Sequence, residues 1–438
     1  MSNKSTKSFM GVRVIIAPIF ICFFCWIAAL KNASLPERVY KKDGCELYML
    51  KTGNRLRRAL AGLMAISFAA ALYPSLYADN PSAAALEITA PSAILMEANS
   101  GEVLFEKNAD EKMPPASVTK IMTLLLAFEA IEAGKLRLED MVSVSKNANS
   151  MGGKQIWLEV GEEMSVNDLI KATAVSSAND AAVALGEAVT GSEDTFVALM
   201  NQRAKELGME NTAFVNASGL DAEGHISSAR DIAIMSKELL SHPLIKQYST
   251  IWMDSLRDGK TSLVNTNKLI RFYEGATGLK TGTTDSAGYC LSATAERNGL
   301  ALIAVVIGDR TSEDRFDSAR TLLDYGYANW EVVTPKALEE PIPPVKVLKG
   351  TENTVEVVSH PSKQVVIKKG EEAKIEYKVE VVNDVMAPVA LGQSLGRVVM
   401  SIDGREIGSY PLTAAKYVGK LTFWVAFSSF WRSVLSMK

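Results

Sequence analysis

The sequence has little cysteine, little histidine and no excess of basic charge. Its 438 residues include four cysteines and three histidines, and the formal net charge is -3. Three of the cysteines, Cys22, Cys25 and Cys45, precede the mature protein expected below, so Cys290 stands alone. This excludes an internal disulfide framework and a cysteine-bound zinc cluster. The charge balance offers no basic surface to nucleic acid, so no nucleic-acid partner is expected.

The sequence also lacks a Gly-x-Ser-x-Gly turn, the usual signal of a Ser-His-Asp hydrolase of the α/β type. The composition, with 47% hydrophobic and 22% charged residues, is typical of a globular protein rather than a disordered one. The length allows two domains together with targeting segments.

Two apolar segments near the N terminus have the features of export signals. Val14–Leu30 is uncharged and lies at the short edge of the roughly 17–25 residues that span a bilayer. Ala59–Leu72 follows three arginines and precedes a small-residue cleavage site. Because Met49 is a natural start for the second signal, residues 1–48 are predicted to be an extension from an upstream start codon. Residues 49–78 are then the signal peptide. The alternative is a true membrane anchor at the first segment; under both interpretations the remainder is exported.

The chain is organised around the stretch Pro114-Pro115-Ala116-Ser117-Val118-Thr119-Lys120, which leads into apolar residues at helical spacing. Prolines can lead into a helix but cannot lie within it. Ser117 and Lys120 are three residues apart, so both lie on one face of the first turn. A hydroxyl beside an amine at the positive end of a helix suits nucleophilic attack with lysine as the base. The alternative is a helix-capping serine followed by a surface lysine.

The pattern from residue 79 to residue 332 predicts one α+β domain in which an antiparallel sheet carries a helical cluster. Strands are expected at both ends of this region, with helices between them. The predicted strands are Ala93–Ala98, Glu102–Lys107, Gly278–Thr284, Gly288–Ala295 and Leu300–Ile307, and the predicted helices are Val166–Val175, Ala181–Val189, Asp231–Leu240 and Phe316–Trp330.

A second, smaller domain is predicted after the proline-rich linker Pro335–Pro344. Residues 333–412 contain short alternating apolar runs, which indicate an all-β domain. The expected strands are Val345–Leu348, Val355–Val358, Val365–Ile367, Ala373–Val382 and Gly396–Ile402.

Residues 413–438 are predicted to form an amphipathic membrane-anchor helix. An apolar stripe runs from Val418 to Leu435 and is widened by phenylalanines, and the four charges in the segment are all basic. Aromatic, cationic helices of this kind favour the membrane interface. The alternatives are a helix packed on its own domain and a dimer contact.

Three short motifs stand in order along the chain: Ser117-Val118-Thr119-Lys120, Ser177-Ala178-Asn179 and Lys280-Thr281-Gly282. Each is weak alone, but the set is the one that marks penicillin-binding proteins and class A β-lactamases. A charged lysine is no base, and freeing its proton at pH 7 costs roughly 4–5 kcal/mol. Burial and a second cation, here Lys280, lower that cost.

The remaining motif residues have predicted functions around this pair. Asn179 and Ser177 can hold Lys120 by neutral hydrogen bonds, and Ser177 can relay a proton to the leaving amine. Lys280 and Thr281 present a cation and a hydroxyl to a substrate carboxylate. Gly282 leaves room for the substrate backbone. The backbone N–H groups of Ser117 and Thr283 are the candidate oxyanion hole.

From about Pro91 to Trp330 the chain resembles the low-molecular-weight penicillin-binding proteins that are D-alanyl-D-alanine carboxypeptidases, in particular the group found in sporulating Gram-positive bacteria. The resemblance rests on the three motifs and on the segment 211–220. It implies a fold like that of β-lactamases and transpeptidases, a C-terminal β domain that lifts the site off the membrane, and a terminal anchor helix. It also implies that Ser117 is the acyl nucleophile, Lys120 the base and Lys280 the carboxylate binder.

The sequence departs from the family pattern at three positions near the motifs. Some members have Gly where Ala178 stands, and some have His where Thr283 stands. Some carry Arg at the position of Thr266, so this chain lacks that cation. The last departure concerns how the substrate carboxylate is bound rather than the reaction.

The leading hypothesis is an exported serine D-Ala-D-Ala carboxypeptidase at the outer face of the cytoplasmic membrane or in the cell wall. It would remove the terminal D-alanine of peptidoglycan pentapeptides, bind β-lactam antibiotics covalently, and need no metal or organic cofactor. One alternative is a serine β-lactamase, although Glu159, Glu162 and Glu163 do not follow Asn179, where a deacylating glutamate is sought. The other is a catalytically inactive cell-wall-binding protein.

Overall fold

The computed structural model describes residues 86–336, 338, 341–361 and 364–435. The predicted extension at 1–48, the signal peptide at 49–78 and the alternative anchor at Val14–Leu30 lie outside these residues.

The first part of the described chain combines short helices with one large sheet. Its strands are β1 (Ser92–Glu97), β2 (Val103–Lys107), β3 (Met141–Ser143), β4 (Glu163–Ser165), β5 (Met253–Leu256), β6 (Thr261–Val264), β7 (Ala276–Thr284), β8 (Gly288–Arg297), β9 (Leu300–Asp309) and β10 (Trp330–Val333). Its helices are α1 (Lys120–Glu132), α2 (Lys146–Asn149), α3 (Val166–Lys171), α4 (Asn179–Thr190), α5 (Glu193–Glu206), α6 (Ala229–Leu240), α7 (Ile245–Ser249), α8 (Leu269–Phe272) and α9 (Ser312–Asn329).

The central sheet has the strand order β2-β1-β9-β8-β7, and every neighbouring pair is antiparallel. The predicted α+β architecture and both predicted hairpins are therefore confirmed. Strand β7, which carries the Lys280-Thr281-Gly282 motif, lies at one edge of the sheet. One side of this strand is thus unpaired within the sheet and available to the active-site cleft.

Strand β9 is buried on both faces, which explains its continuous apolar sequence. Ile303, Val305 and Ile307 point to the core shared with the helical cluster. The alternate residues, among them Leu302 and Val306, point to the core on the opposite face, where helix α9 packs. The sheet is therefore the middle of three layers.

Helix α1 begins at Lys120, after a 3-10 turn at Ala116–Thr119. The prolines lead into this turn as predicted, although Ser117 belongs to the turn and not to the helix. Ten of the thirteen residues of α1 are buried, so the helix crosses the core rather than lying on the surface.

Helix α3 continues into a π-helical turn at Ala172–Ser176. Together they cover the predicted helix Val166–Val175. The turn ends at Ser177, whose φ of 65° is left-handed and unusual for a residue other than glycine. Single π-helical turns are frequent at functional sites because they re-aim the residues that follow.

Helix α9 ends at Asn329, so the prediction that it extends through Trp330 is wrong by one residue. Trp330 instead begins β10, which pairs with β14 (Val365–Lys368) of the C-terminal region. The predicted boundary at 332/333 falls inside β10 and stays a prediction.

The C-terminal region is all-β, as predicted. Its strands are β11 (Val345–Leu348), β12 (Thr354–Val355), β13 (Val357–Ser359), β14, β15 (Glu376–Val381), β16 (Asp384–Met386), β17 (Ser394–Ile402) and β18 (Arg405–Ala414). They form a sheet of order β13-β18-β17-β15 and another of order β12-β11-β16. The sequence analysis did not predict β18, which contains Pro411, a residue that cannot donate a ladder hydrogen bond.

The terminal helix α10 (Phe423–Leu435) begins later than predicted. The segment before it belongs to the β region: Val418 is buried there and exchanges two 2.9 Å backbone hydrogen bonds with Val389. Lys416 forms an ion pair with Glu352 at 2.5 Å instead of lining a helical face. None of the described helices is both long and apolar enough to cross a bilayer.

Candidate active site

Ser117 and Lys120 meet at the point where the 3-10 turn passes into α1. Lys120 is fully buried, and its Nζ lies 3.0 Å from Ser117 Oγ. The same nitrogen lies 2.6 Å from Asn179 Oδ1 and 2.5 Å from the Ser218 carbonyl oxygen. All three partners are uncharged, so the ammonium form has no carboxylate in hydrogen-bond contact.

This set of partners suits a neutral amine. An uncharged lysine has two N–H donors and one lone pair. The donors fit the amide and carbonyl oxygens, which leaves the lone pair for the Ser117 hydroxyl. Burial, followed by repulsion from Lys154, lowers the pKa of Lys120 from 10.5 to about 7, and Asp180 opposes the shift. Burial lowers this pKa as expected, but the cation that acts on Lys120 is Lys154 rather than the predicted Lys280.

The second lysine, Lys280, is also fully buried and lies against Ser177. Its Nζ donates to Ser177 Oγ at 2.8 Å and to the Thr281 carbonyl oxygen at 3.0 Å. Burial lowers the pKa of Lys280 well below its usual value, and repulsion from the neighbouring cations adds to this effect. Among the hydrogen bonds of the described residues, Ser177 contacts Lys280 and not Lys120, which differs from the prediction.

Asn179 lies at the start of α4 and joins three parts of the site. Besides accepting from Lys120, it donates from Nδ2 to the Gly152 carbonyl oxygen and from its backbone N–H to that of Lys154, both at 2.7 Å. A Cβ at Gly153 would lie 2.9 Å from Asn179 Nδ2, so glycine permits this close approach. The amide orientation that Lys120 needs is therefore fixed from two sides.

The third motif forms the sheet wall of the cleft. Thr281 Oγ1 donates to Thr266 Oγ1 at 2.7 Å. A Cβ on Gly282 would lie 2.9 Å from the Pro115 carbonyl oxygen and 3.1 Å from the Ser117 nitrogen. Glycine is thus required where β7 meets the turn that carries Ser117, in addition to the predicted room for substrate.

Arg315 is a site residue that the sequence analysis missed. It projects from α9, and its guanidinium donates at 3.0 Å to the Gly282 carbonyl oxygen and to Thr283 Oγ1. Its buried Nε has no hydrogen-bond partner among the described residues. Arg315 follows β9 in the sequence, far from every motif, so only the packing of α9 brings it to the cleft.

Ser218 was also missed as a lysine partner, although its segment contributed to the family resemblance. Asn216 Oδ1 accepts from the backbone nitrogens of Ser218 and Gly219 at 3.2 and 2.6 Å, which shapes a tight turn. A Cβ at Gly219 would lie only 1.9 Å from the Ala116 carbonyl oxygen. This turn therefore closes directly over the residue that precedes Ser117.

His225 supports the nucleophile turn and is not placed as a base. Its Nδ1 accepts from the Val215 N–H at 3.0 Å, so Nε2 carries the proton and donates to Thr119 Oγ1 at 2.7 Å. Thr119 Oγ1 then donates to the Ala116 carbonyl oxygen at 2.8 Å. Ala116 has a φ of 49°, so this chain of bonds holds a strained residue beside Ser117.

Two single residues considered with the motifs have ordinary positions. Cys290 is buried in β8 opposite Gly282. Trp157 is 74% exposed and lies outside the lining of the cleft.

The motif residues surround an open cleft of about 490 Å³. Its lining includes Ser117, Ser177, Asn179, Thr281, Gly282, Thr283 and Arg315, with Lys120 and Lys280 buried behind them. A hydroxyl with a lysine partner, set beside a cationic sheet edge, is an arrangement for acyl transfer to serine from a substrate that carries a carboxylate.

Comparison with known proteins assigns the chain to a family. Residues 79–311 match the family described as D-alanyl-D-alanine carboxypeptidase, and residues 330–420 match the penicillin-binding protein 5 C-terminal domain. The chain is 41% identical over 374 residues to D-alanyl-D-alanine carboxypeptidase DacF of Bacillus subtilis (strain 168), covering 84% of this chain and 95% of that protein. The chain therefore belongs to the D-alanyl-D-alanine carboxypeptidase family and is a serine-type peptidase.

Solved structures agree with this assignment. Penicillin-binding protein 5 from Haemophilus influenzae has a TM-score of 0.68 at 33% identity and covers 76% of this chain and 98% of its own. Penicillin-binding protein D2 from Listeria monocytogenes, in its ampicillin-bound form, has a TM-score of 0.51 at 36% identity and covers 55% of this chain and 99% of its own. The resemblance to low-molecular-weight penicillin-binding proteins is confirmed.

Proposed function

We propose that the protein is an exported carboxypeptidase that releases the terminal D-alanine of peptidoglycan pentapeptides through an acyl-enzyme on Ser117. The observation that carries this proposal is the 3.0 Å contact between Ser117 Oγ and Lys120, whose other partners are neutral. This contact gives serine a base that is free near neutral pH.

In the proposed acylation step, Lys120 takes the Ser117 proton while Oγ bonds to the carbonyl carbon of the penultimate D-alanine. The backbone N–H groups of Ser117 and Thr283 receive the developing oxyanion. The C–N bond then breaks, and the departing D-alanine amine takes the proton that Lys120 accepted from Ser117. In deacylation, Lys120 takes a proton from a water whose oxygen bonds to the acyl carbon. The bond between that carbon and Ser117 Oγ then breaks, and Lys120 returns the proton to Oγ.

The substrate carboxylate is assigned to Lys280, Thr281 and Arg315. In the free enzyme burial works against the charge on Lys280, since no carboxylate touches it among the described residues. A bound carboxylate restores that charge, which in turn favours the neutral form of Lys120. Binding of a substrate with a free C-terminal carboxylate thus favours the neutral form of Lys120 that acts as the base.

β-Lactam antibiotics are proposed as covalent inhibitors of the same serine. Their strained amide resembles the D-Ala-D-Ala bond, so Ser117 attacks it by the same step. The ampicillin-bound relative from Listeria monocytogenes supports this proposal. No metal or organic cofactor takes part in these steps.

A β-lactamase is the weaker interpretation because the described cleft residues include no carboxylate that could activate water for rapid deacylation. No Asp or Glu lines the cleft among the described residues. Glu162, one of the three glutamates considered above, forms an ion pair with Arg257 at 2.7 Å.

Export and membrane contact complete the proposal. Residues 49–78 would direct secretion, and α10 would hold the enzyme at the outer membrane surface. On α10, Phe423 and Trp424 are 72% and 74% exposed, and Phe427 and Leu435 are also exposed. Such side chains gain free energy at a lipid interface. The length of α10 suits a helix that lies in the interface.

The central experiment measures D-alanine release from Nα,Nε-diacetyl-L-lysyl-D-Ala-D-Ala, together with labelling by a fluorescent penicillin. The wild-type protein should release D-alanine and retain the label, and Ser117→Ala should do neither. Rapid loss of the label would indicate a β-lactamase, and absence of labelling in the wild type would indicate an inactive wall-binding protein.

Membrane binding is tested separately by co-flotation with vesicles that contain anionic lipid. Replacing Phe423 and Trp424 together by Ser should release the protein from vesicles and leave hydrolysis of the soluble peptide unchanged. Equal flotation of both proteins would contradict the interfacial helix.

A further inference from the structure

The cleft contains more positively charged side chains than the single C-terminal carboxylate of a substrate requires. Lys154, Lys268 and Arg315 line it, and none of the described lining residues is acidic. The proposed function uses Lys280 and Arg315 on the sheet wall for the terminal carboxylate. Lys154 instead lies in the loop between α2 and β4, which is bound to Asn179, and the proposed function gives its ammonium group no ligand.

Lys154 lies in a loop that hydrogen bonds hold in place. Its carbonyl oxygen accepts the Asn179 N–H, and the Asp180 carboxylate accepts the N–H groups of Ile156 and Leu158 at 3.1 Å. Arg257 donates to the Ile156 carbonyl oxygen at 2.8 Å from the other side. The loop that carries Lys154 is therefore fixed relative to the catalytic asparagine, although the Lys154 residue is exposed at the cleft.

The ammonium group of Lys154 has no hydrogen bond or ion pair within the part of the chain that the structure describes. Its charged neighbours in the cleft are cations: it repels Lys120 and Lys280, and Arg315 repels it. The exposed Lys154 side chain therefore lies among like charges and has no acidic partner among the described residues. A site of uniform positive charge instead attracts an anion.

We propose that Lys154 binds a second carboxylate of the substrate, carried by the acyl part of the peptide upstream of the scissile bond. The preferred substrates are then stem peptides with a free side-chain carboxylate, and peptides amidated at that position are poorer. This inference rests on the proposed function, because it concerns the selectivity of the same reaction.

The test compares two peptides that differ in one group. They are Nα-acetyl-Nε-succinyl-L-lysyl-D-Ala-D-Ala and its succinamoyl counterpart, in which the free carboxylate is an amide. For the wild type, kcat/KM should be about tenfold higher for the carboxylated peptide, which corresponds to one ion pair of about 1.4 kcal/mol. The difference should lie in KM and should shrink as salt is added.

The variant Lys154→Met should reduce this ratio to below about twofold, and Lys154→Glu should reverse it. Both variants keep the backbone carbonyl that Asn179 needs. Lys135→Met, which removes an exposed lysine just after α1, is the matched control and should keep the wild-type ratio. The ratio is the readout because loss of Lys154 also raises the pKa of Lys120 and can slow both peptides alike.

Three experimental outcomes would contradict either the carboxylate contact of Lys154 or the proposed function. Equal rates for the two peptides in the wild type would overturn the inference while leaving the proposed function intact. A ratio that survives in Lys154→Met would overturn it as well, and would leave Lys154 acting only through Lys120. Failure of the wild type to release D-alanine from either peptide would instead reject the proposed function itself.

Discussion

The candidate active-site cleft and the C-terminal β region place their charged side chains in opposite environments. In the cleft, Lys120 and Lys280 are fully buried and contact only neutral oxygens. In the β region, ion pairs form at the surface, as where Arg397 meets Glu380 at 3.0 Å and Glu406 at 3.4 Å. Buried lysines without carboxylates oppose folding, whereas exposed pairs contribute little in either direction.

The buried lysines lie in the cleft where we propose that catalysis takes place. The described lysines of the β region are exposed to solvent, and the proposed reaction does not require any of them to lose its proton. In the cleft, burial lowers the pKa of Lys120 to about 7, which the proposed mechanism requires of its base. The following predictions test this contrast, from the largest expected effect to the smallest.

Lys120→Met should lower kcat/KM for D-alanine release by about 10³-fold, because the variant keeps the buried volume but loses the base. The measurement is D-alanine release from the diacetylated peptide at pH 7.5. Lys135→Met is the control for loss of one positive charge and should match the wild type. If Lys120→Met kept a tenth of the wild-type activity, Lys120 would not be the base.

The pH dependence of kcat/KM should reflect the lowered pKa of Lys120. Because this pKa is about 7, the neutral base should increase about tenfold per pH unit below 7 and reach a plateau above it. The observed value belongs to the coupled pair of Lys120 and Lys280 rather than to one residue. A rate that continued to rise up to pH 10 would mean that the lysine keeps an ordinary pKa.

His225 should make stability depend on pH. Burial lowers the pKa of His225 from 6.5 to about 4. Between these values the unfolded chain binds a proton that the folded protein does not, so stability falls as pH falls from 6.5 to 4. The loss should be on the order of 3 kcal/mol.

The measurement is urea unfolding of the wild type and His225→Gln at several pH values between 4 and 7. Gln can donate to Thr119 but does not titrate, so the contribution of this position to the pH slope should vanish in the variant. Identical slopes for the two proteins would show that His225 is not the group responsible.

The smallest effect is expected for an exposed ion pair of the β region. Arg397→Ala should shift the midpoint of thermal unfolding by less than about 3 °C and leave D-alanine release unchanged. A large loss of stability would mean that exposed ion pairs in the β region contribute more to stability than expected here.

The features predicted well from sequence are those fixed by local chemistry. The hairpins of the central sheet follow from residue spacing and turn residues, and the strand predicted at Gly278–Thr284 lies within β7. Ser117 and Lys120 are neighbours because they are three residues apart, so their contact did not depend on the rest of the fold.

The features missed depend on packing between distant segments. Arg315 reaches the cleft only because α9 lies across the sheet, and Lys154 because its loop is bound to Asn179 and Asp180. The start of α10 was placed too early because the apolar spacing around Val418 is compatible with a helix, while pairing with Val389 puts it in the β region. Periodicity alone cannot detect such a long-range competitor.

The π-helical turn at Ala172–Ser176 makes the active site sensitive to chain length as well as to side-chain chemistry. A π turn holds an extra residue compared with an α turn. Deleting one residue there would let α3 run on as a regular helix with its core contacts largely kept, and would swing the Ser177 hydroxyl away from Lys280. The length of this turn, and not only the identity of the motif residues, therefore determines where the Ser177 hydroxyl lies.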